Sequence, residues 1–179
     1  MKIACIGWGS LIWRPDTLLI HREWFSDGPF LPIEFGRQSK DGRLTLVITN
    51  DAKPLRTLWA LMATSDLAKA KKSLELREST IPANISSITA SEDTSDEIKM
   101  SIKKWLLSLD IDAAIWTNLS PKFKEEKRVP TIQEAITHFS EMDINSRKIA
   151  EEYVRKTPRQ IDTEYRREFE KQLGWTYEQ

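Results

Sequence analysis

Cysteine is almost missing from this chain. There is one, Cys5, in 179 residues, so no internal disulfide can form. Its place in an apolar run marks it as a small buried hydrophobe rather than a nucleophile. Histidine is scarce as well. His21 and His138 lie far apart, and with one cysteine they offer no metal-ligand spacing. Neither sign of charge is in excess: Lys plus Arg and Asp plus Glu each number 27. That balance argues against a general nucleic-acid binder and against a basic membrane-surface protein. No stretch approaches the ~18 apolar residues of a membrane span, and the run at residues 3–6 is too short for a signal-peptide core. These absences predict a cytoplasmic protein that engages neither membrane nor nucleic acid. The length predicts one domain, 1–179.

Tryptophan, by contrast, is plentiful, with seven residues. Most belong in a core, and Trp8 and Trp13 are placed to wall a pocket. Residues 3–6 read as a buried strand, residues 30–39 as a strand bent at Gly36, and residues 43–50 as an alternating strand. Lys40-Asp41-Gly42 makes the hairpin turn between the last two. Residues 55–63 are apolar on both faces, which predicts a central strand. Together these strands predict a meander that begins a curled sheet or barrel. Thr64-Ser65-Asp66 caps a helix reaching about Arg77, after which Pro82 prevents continuation. Residues 84–90 read as a polar strand. Thr94 with Glu97 fits a capping box for the next helix, whose stripe is Ile98, Ile102, Trp105, Leu106 and Leu109. Residues 111–117 form a late buried strand.

Near Leu119 the composition turns helical, so residues 1–118 read as a core and residues 119–179 as a C-terminal embellishment. Thr131 and Glu134 fit a second capping box, residues 145–156 a further helix. Asp162 is placed to cap a last helix with a Tyr165, Phe169 and Leu173 stripe, closed by Gly174. Arg166-Arg167-Glu168 is assigned to its solvent face.

Two features carry chemistry. The first strand ends in Gly7-Trp8-Gly9-Ser10, where two glycines around one aromatic residue can turn the chain and align backbone N–H groups into a concave set of donors. The alternative is a plain tight turn. Glu78 closes the first long helix, and without further context it reads as a solvated charge at a helix end.

The motifs around these positions are similar to those of the γ-glutamylcyclotransferase-like family, most of all its ChaC-type branch. Gly7-Trp8-Gly9-Ser10-Leu11-Ile12-Trp13 resembles the family's Gly-Tyr-Gly-Ser-Leu-Ile-Trp. Arg37-Gln38-Ser39, Asp41-Gly42-Arg43 and Leu58-Trp59-Ala60-Leu61 follow in the family's order. Leu74-Glu75-Leu76-Arg77-Glu78 resembles its Leu-Asp-x-Arg-Glu. The likeness covers about the first half of the chain. It implies an α+β fold built on a small mixed β-barrel, with the helical extension unmatched. It also implies a loop, Gly7 to Leu11, that holds a γ-glutamyl group through Gly7, Trp8, Gly9, Ser10 and Leu11. Arg37 is a candidate for the substrate carboxylate, with a structural ion pair as its other reading.

In that resemblance Glu78 is the general acid–base of a cyclising lyase. The α-amino group of a γ-glutamyl amine or peptide attacks the γ-carbonyl, closes a five-membered ring and releases the amine with 5-oxoproline. One carboxylate can take the proton from the ammonium and give it to the leaving nitrogen, and the loop donors can meet the oxyanion. No metal or organic cofactor is needed, and the implied partner is the small-molecule substrate. Where the family has a loop Tyr, this chain has Trp8. Where the ChaC-type pattern continues Gly-Gly-Tyr, it has Ser79-Thr80-Ile81, which argues against glutathione itself as the substrate. The reading from a different class is a non-catalytic module that binds a small metabolite or a protein on the same fold.

Overall fold

Apolar strands and capped helices alternate along the chain in a computed structural model that describes residues 1–178. The order is β1 (Ile3–Gly7), β2 (Phe30–Gln38), β3 (Leu44–Ile48), β4 (Pro54–Arg56), β5 (Leu58–Leu61), α1 (Leu67–Glu78), a 3₁₀ turn (Pro82–Asn84), β6 (Ile85–Thr89), α2 (Glu97–Ser108), β7 (Ala113–Thr117), α3 (Ile132–Glu141), α4 (Ile144–Lys156) and α5 (Glu164–Leu173). The fold is α+β. No barrel is formed among the described residues: the strands divide into a sheet ordered β5-β1-β7-β6 and a second ordered β3-β2-β4. No helix is long and apolar enough to cross a membrane.

The expected barrel fails at one residue. The apolar segment 55–63 is two strands in two different sheets, β4 and β5, parted at Thr57. Thr57 is fully buried, and both its N–H and its hydroxyl donate to the Pro29 carbonyl, at 3.1 and 2.7 Å. Nor is β5 central. It is an edge strand, and its outer side is covered by the irregular segment 19–25 through His21 N–H to Leu61 O at 3.0 Å and a reciprocal pair between Phe25 and Trp59. A covered edge carries the same apolar composition as a central strand, which is why the two read alike.

The chain groups into two compact units. The first comprises Met1–Gly7, Arg14–Leu31 and Arg56–Asn118. In it β1 runs parallel to β7 and antiparallel to β5, and β6 runs antiparallel to β7. Side chains alternate along a strand, so Cys5 and Gly7 face one side and Ile6 the other. Trp59 is registered with Ile6 and meets Trp105 of α2 edge-on at 5.4 Å, which places α2 on the Ile6 side. The charges of Arg77 and Glu78 at the α1 terminus act on Cys5. Both α1 and α2 pack on β6 and β7. Asp66 caps α1 by accepting from the N–H groups of Ala68 and Lys69 at 2.9 and 3.1 Å. Asp96, not Thr94, caps α2: its carboxylate reaches Lys99 N–H at 2.8 Å, while the Thr94 hydroxyl accepts from Asp96 N–H at 3.1 Å. An aspartate at the position next to the helix outcompetes the Thr–Glu pairing.

The second unit comprises Trp8–Trp13, Pro32–Leu55 and Leu119–Gln179, described to residue 178. Its sheet carries the hairpin β2–β3, turned at Gly42 with φ +84°, and a register shift between Phe35 and Arg37 at Gly36. Thr131 and Glu134 form the expected reciprocal capping box of α3. Phe169 of α5 is fully buried edge-on to Phe35 and Phe139 at 5.3 and 5.1 Å. Gly174 ends α5 in the left-handed conformation. The cap of α5 is Thr163, whose hydroxyl accepts from Arg166 N–H at 3.1 Å. Asp162, expected there, instead holds Arg167 through Nη2 to Oδ2 at 2.8 Å. Arg166, assigned to the solvent face, is buried.

Candidate functional site

Gly7 closes β1, and the chain leaves the strand through the glycine motif. Neither Gly7 nor Gly9 takes a positive φ, so conformational freedom is not what demands glycine here. Space demands it at Gly9. A Cβ at that position would lie 2.5 Å from the phenol oxygen of Tyr153, on α4. The Trp13 ring also packs edge-on to Tyr153 at 5.6 Å.

The loop and Tyr153 meet at one peptide of β3. Trp8 is buried, and its indole Nε1 donates to the Leu46 carbonyl at 3.1 Å. The Leu46 N–H donates to the Tyr153 phenol oxygen at 3.3 Å. Because β3 is an edge strand paired with β2 on one side only, these contacts take up its open edge. Trp8 therefore spends its one donor on structure. Among the described residues the backbone N–H groups of Gly9 and Leu11 donate to no backbone carbonyl. Ile12 N–H closes the turn on the Gly9 carbonyl at 3.0 Å. Arg37 has a local task in this unit: its Nη1 donates to the Ser120 carbonyl at 2.7 Å and ties segment 119–122 to β2.

In the first unit Glu78 is the last residue of α1. The chain leaves the helix through Ser79, whose φ of +48° is left-handed and whose N–H caps the carbonyls of Glu75 and Leu76. The Glu78 side chain is 18% exposed and pairs with the guanidinium of Arg77, itself 7% exposed. Arg77 Nε also donates to the Arg14 carbonyl at 3.1 Å. Cys5 lies beneath. Burial, then the Glu78 charge, push its thiol up to about 12, with Arg77 opposing. That makes Cys5 a core residue rather than a nucleophile.

The sheet register brings further groups to the same place. Cys5 is registered with Ile115, and Thr117 two residues on shares their face. Thr117 stands at the carboxyl end of β7, next to the carboxyl end of β1 at Gly7. Its hydroxyl oxygen is buried and, among the described residues, has no hydrogen-bond partner. Gly7 and Thr117 thus share one face and one end of the four-stranded sheet, at the carboxyl ends of its two parallel strands, and the Glu78 charge acts on Cys5 of that face. Open α/β sheets commonly bind ligands at that end. Trp116 faces the other way into the core.

Sequence reasoning did not single out Tyr153. No local signal could mark it, because its importance comes from α4 meeting the loop and Leu46. From sequence, Trp116-Thr117-Asn118 ends a late strand and offers a pocket lining, with Trp116 assigned to the core, where it lies buried. Among the described residues no group of three or more His, Cys, Asp or Glu side chains could hold a metal ion. No protein-family model, curated protein or solved structure matches this chain.

Proposed function

We propose that the chain is a γ-glutamylcyclotransferase-like lyase that converts a small γ-glutamyl amine or peptide to 5-oxoproline and the free amine. The observation that supports it most is that the Glu78 charge acts on Cys5, which shares a strand face with Gly7, where the glycine loop starts. In this reading Glu78 removes a proton from the substrate α-ammonium. The freed nitrogen attacks the γ-carbonyl carbon, the C–N bond to the leaving group breaks, and Glu78 returns the proton to the departing nitrogen. Arg77 holds one carboxylate oxygen and so orients the other. The resemblance assigns the γ-glutamyl group to loop residues Gly7 to Leu11, where among the described residues the N–H groups of Gly9 and Leu11 donate to no backbone carbonyl, and its carboxylate to Arg37. Hydrolysis of the same amide would give glutamate, so the ring product is diagnostic.

The experiment is a panel of γ-glutamyl amines and dipeptides assayed for 5-oxoproline, with Glu78→Gln beside wild type. The near-isosteric amide keeps the fold and lowers turnover by roughly 10²–10⁴-fold, the usual worth of a positioned acid–base group. Full activity in the variant removes Glu78 from the mechanism.

The second reading, a non-catalytic binding module, is favoured by one observation. Trp8 and Tyr153 together seal the edge of β3 at Leu46, so the glycine loop has a sufficient structural reason to exist. A wild type inert across the whole panel selects this reading.

A further inference from the structure

Arg166 is the one charged residue of α5 that is buried, at 2% exposure. Its Nη1 donates to the carbonyls of Pro158 and Ile161 at 2.7 and 3.1 Å, which closes the turn between α4 and α5. Its Nε lies 3.5 Å from Glu170 Oε1, a long contact. Nη2 is buried and, among the described residues, meets no acceptor. A buried charged donor without a partner bears the full cost of desolvation, and that burial also pulls the Arg166 pKa down.

Arg166 stands in the wall of a cavity of about 490 Å³ together with Arg159, Asp162, Glu170, Thr176 and Tyr177. The charges do not cancel there. Asp162 is engaged by Arg167, with Nε to Oδ1 at 3.0 Å and Nη2 to Oδ2 at 2.8 Å. Among the described lining residues, Glu170 is then the carboxylate left to balance Arg159 and Arg166. The Tyr177 ring lies over the Arg166 guanidinium at 5.6 Å and is 37% exposed. The main chain on either side of it is fastened to α4: Glu178 N–H donates to the Arg155 carbonyl at 3.0 Å, and Arg155 Nη2 reaches the Gly174 carbonyl at 3.3 Å. Tyr177 can therefore swing by a side-chain rotation while its backbone stays in place.

We propose that this cavity is a binding site for a small oxyanion, a carboxylate or a phosphate, taken up by Arg166 Nη2 with Arg159 beside it and the Tyr177 ring turned aside. An oxyanion supplies the missing acceptor and balances the surplus positive charge, and guanidinium groups match its geometry. The inference is independent of the lyase reading, because it concerns binding alone.

The test is calorimetric titration of the full chain with inorganic phosphate and, separately, with 5-oxoproline, both at ionic strength held constant with chloride. Saturable binding of one or both is expected, and the two arms identify the source of the oxyanion. Arg166→Lys keeps the charge but loses the free nitrogen, and should weaken binding by about tenfold or more. Arg159→Gln, at an exposed position that leaves the fold intact, should weaken it about threefold or more. Tyr177→Ala should bind at least as tightly as wild type. A response no greater than that to chloride in both arms overturns the proposal, as does an affinity unchanged in Arg166→Lys and Arg159→Gln.

Discussion

Replacing Gly9 by Ala tests whether space, rather than backbone freedom, selects glycine in the loop. The added Cβ would sit 2.5 Å from the Tyr153 oxygen, whereas ordinary contact begins at 3.4 Å. The backbone there is one that alanine adopts readily, so no conformational penalty is added. The shortfall of roughly 0.9 Å must be absorbed by moving Tyr153 or the loop, and overpacking on that scale costs about 1–3 kcal/mol. Tyr153→Phe alone leaves the Leu46 N–H without its acceptor, a loss of about 1–3 kcal/mol for a buried donor. In the double variant the clash is gone, since the Cβ then meets the ring carbon Cζ at 3.4 Å. Its stability should equal that of Tyr153→Phe, so the coupling energy should match the cost of Gly9→Ala, about 1–3 kcal/mol. Urea denaturation of the four proteins measures this. In thermal melts each 1 kcal/mol corresponds to about 2–4 °C at this chain length. Strictly additive losses would refute the packing argument and return Gly9 to a conformational role.

Four further outcomes follow from buried groups. Cys5, fully buried with its thiol pushed up to about 12, should react with a thiol reagent at pH 8 only as fast as the first unit opens, and at full speed in denaturant. Thr117→Val should change stability by less than about 1 kcal/mol or raise it, because the hydroxyl it removes has no partner; a larger loss in urea denaturation would reveal an acceptor. Phe169→Ala should destabilise by about 3–5 kcal/mol, the range for a fully buried phenylalanine, read by the same method.

Glu34 is buried, and desolvation raises its carboxyl above the usual value although Thr163 and the N–H groups of Phe35 and Tyr165 oppose the shift. The folded state thus binds the proton more tightly than the unfolded one. The contribution of Glu34 is most favourable below the unfolded value of about 4.3 and is lost as pH rises through the folded value. Glu34→Gln should remove that fall, seen as a flatter stability profile above pH 4 relative to wild type. An unchanged profile would mean that the carboxylate is fully solvated.

The local signals were legible where chemistry and spacing agree over a few residues. Asp66, the Thr131–Glu134 box, Gly42 and Gly174 each do what their residue type dictates. The position of Glu78 at a helix end was legible in the same way. What escaped was decided by tertiary contact. The segment 55–63 reads as one central strand because both of its faces are apolar, and only the switch at Thr57 and the cover from residues 19–25 make it two edge pieces. Arg166 reads as solvated because arginine is rarely buried, and only the turn carbonyls it collects explain its position. Tyr153 carries no mark at all until α4 is set against Leu46.

The weave of the second unit has a consequence for how the chain is born. Its parts come from Trp8–Trp13, Pro32–Leu55 and Leu119–Gln179. During synthesis the first two emerge early and must wait, unsatisfied, until α3, α4 and α5 have left the ribosome. Phe35 has neither Phe139 nor Phe169 to pack on until then, and Leu46 lacks Tyr153 at its open edge. The first unit, by contrast, is fully encoded once Asn118 has been made. Vectorial synthesis therefore offers the nascent chain an exposed strand edge for the whole time taken to translate the last third, the kind of interval in which holding chaperones act and strand-to-strand misassembly begins.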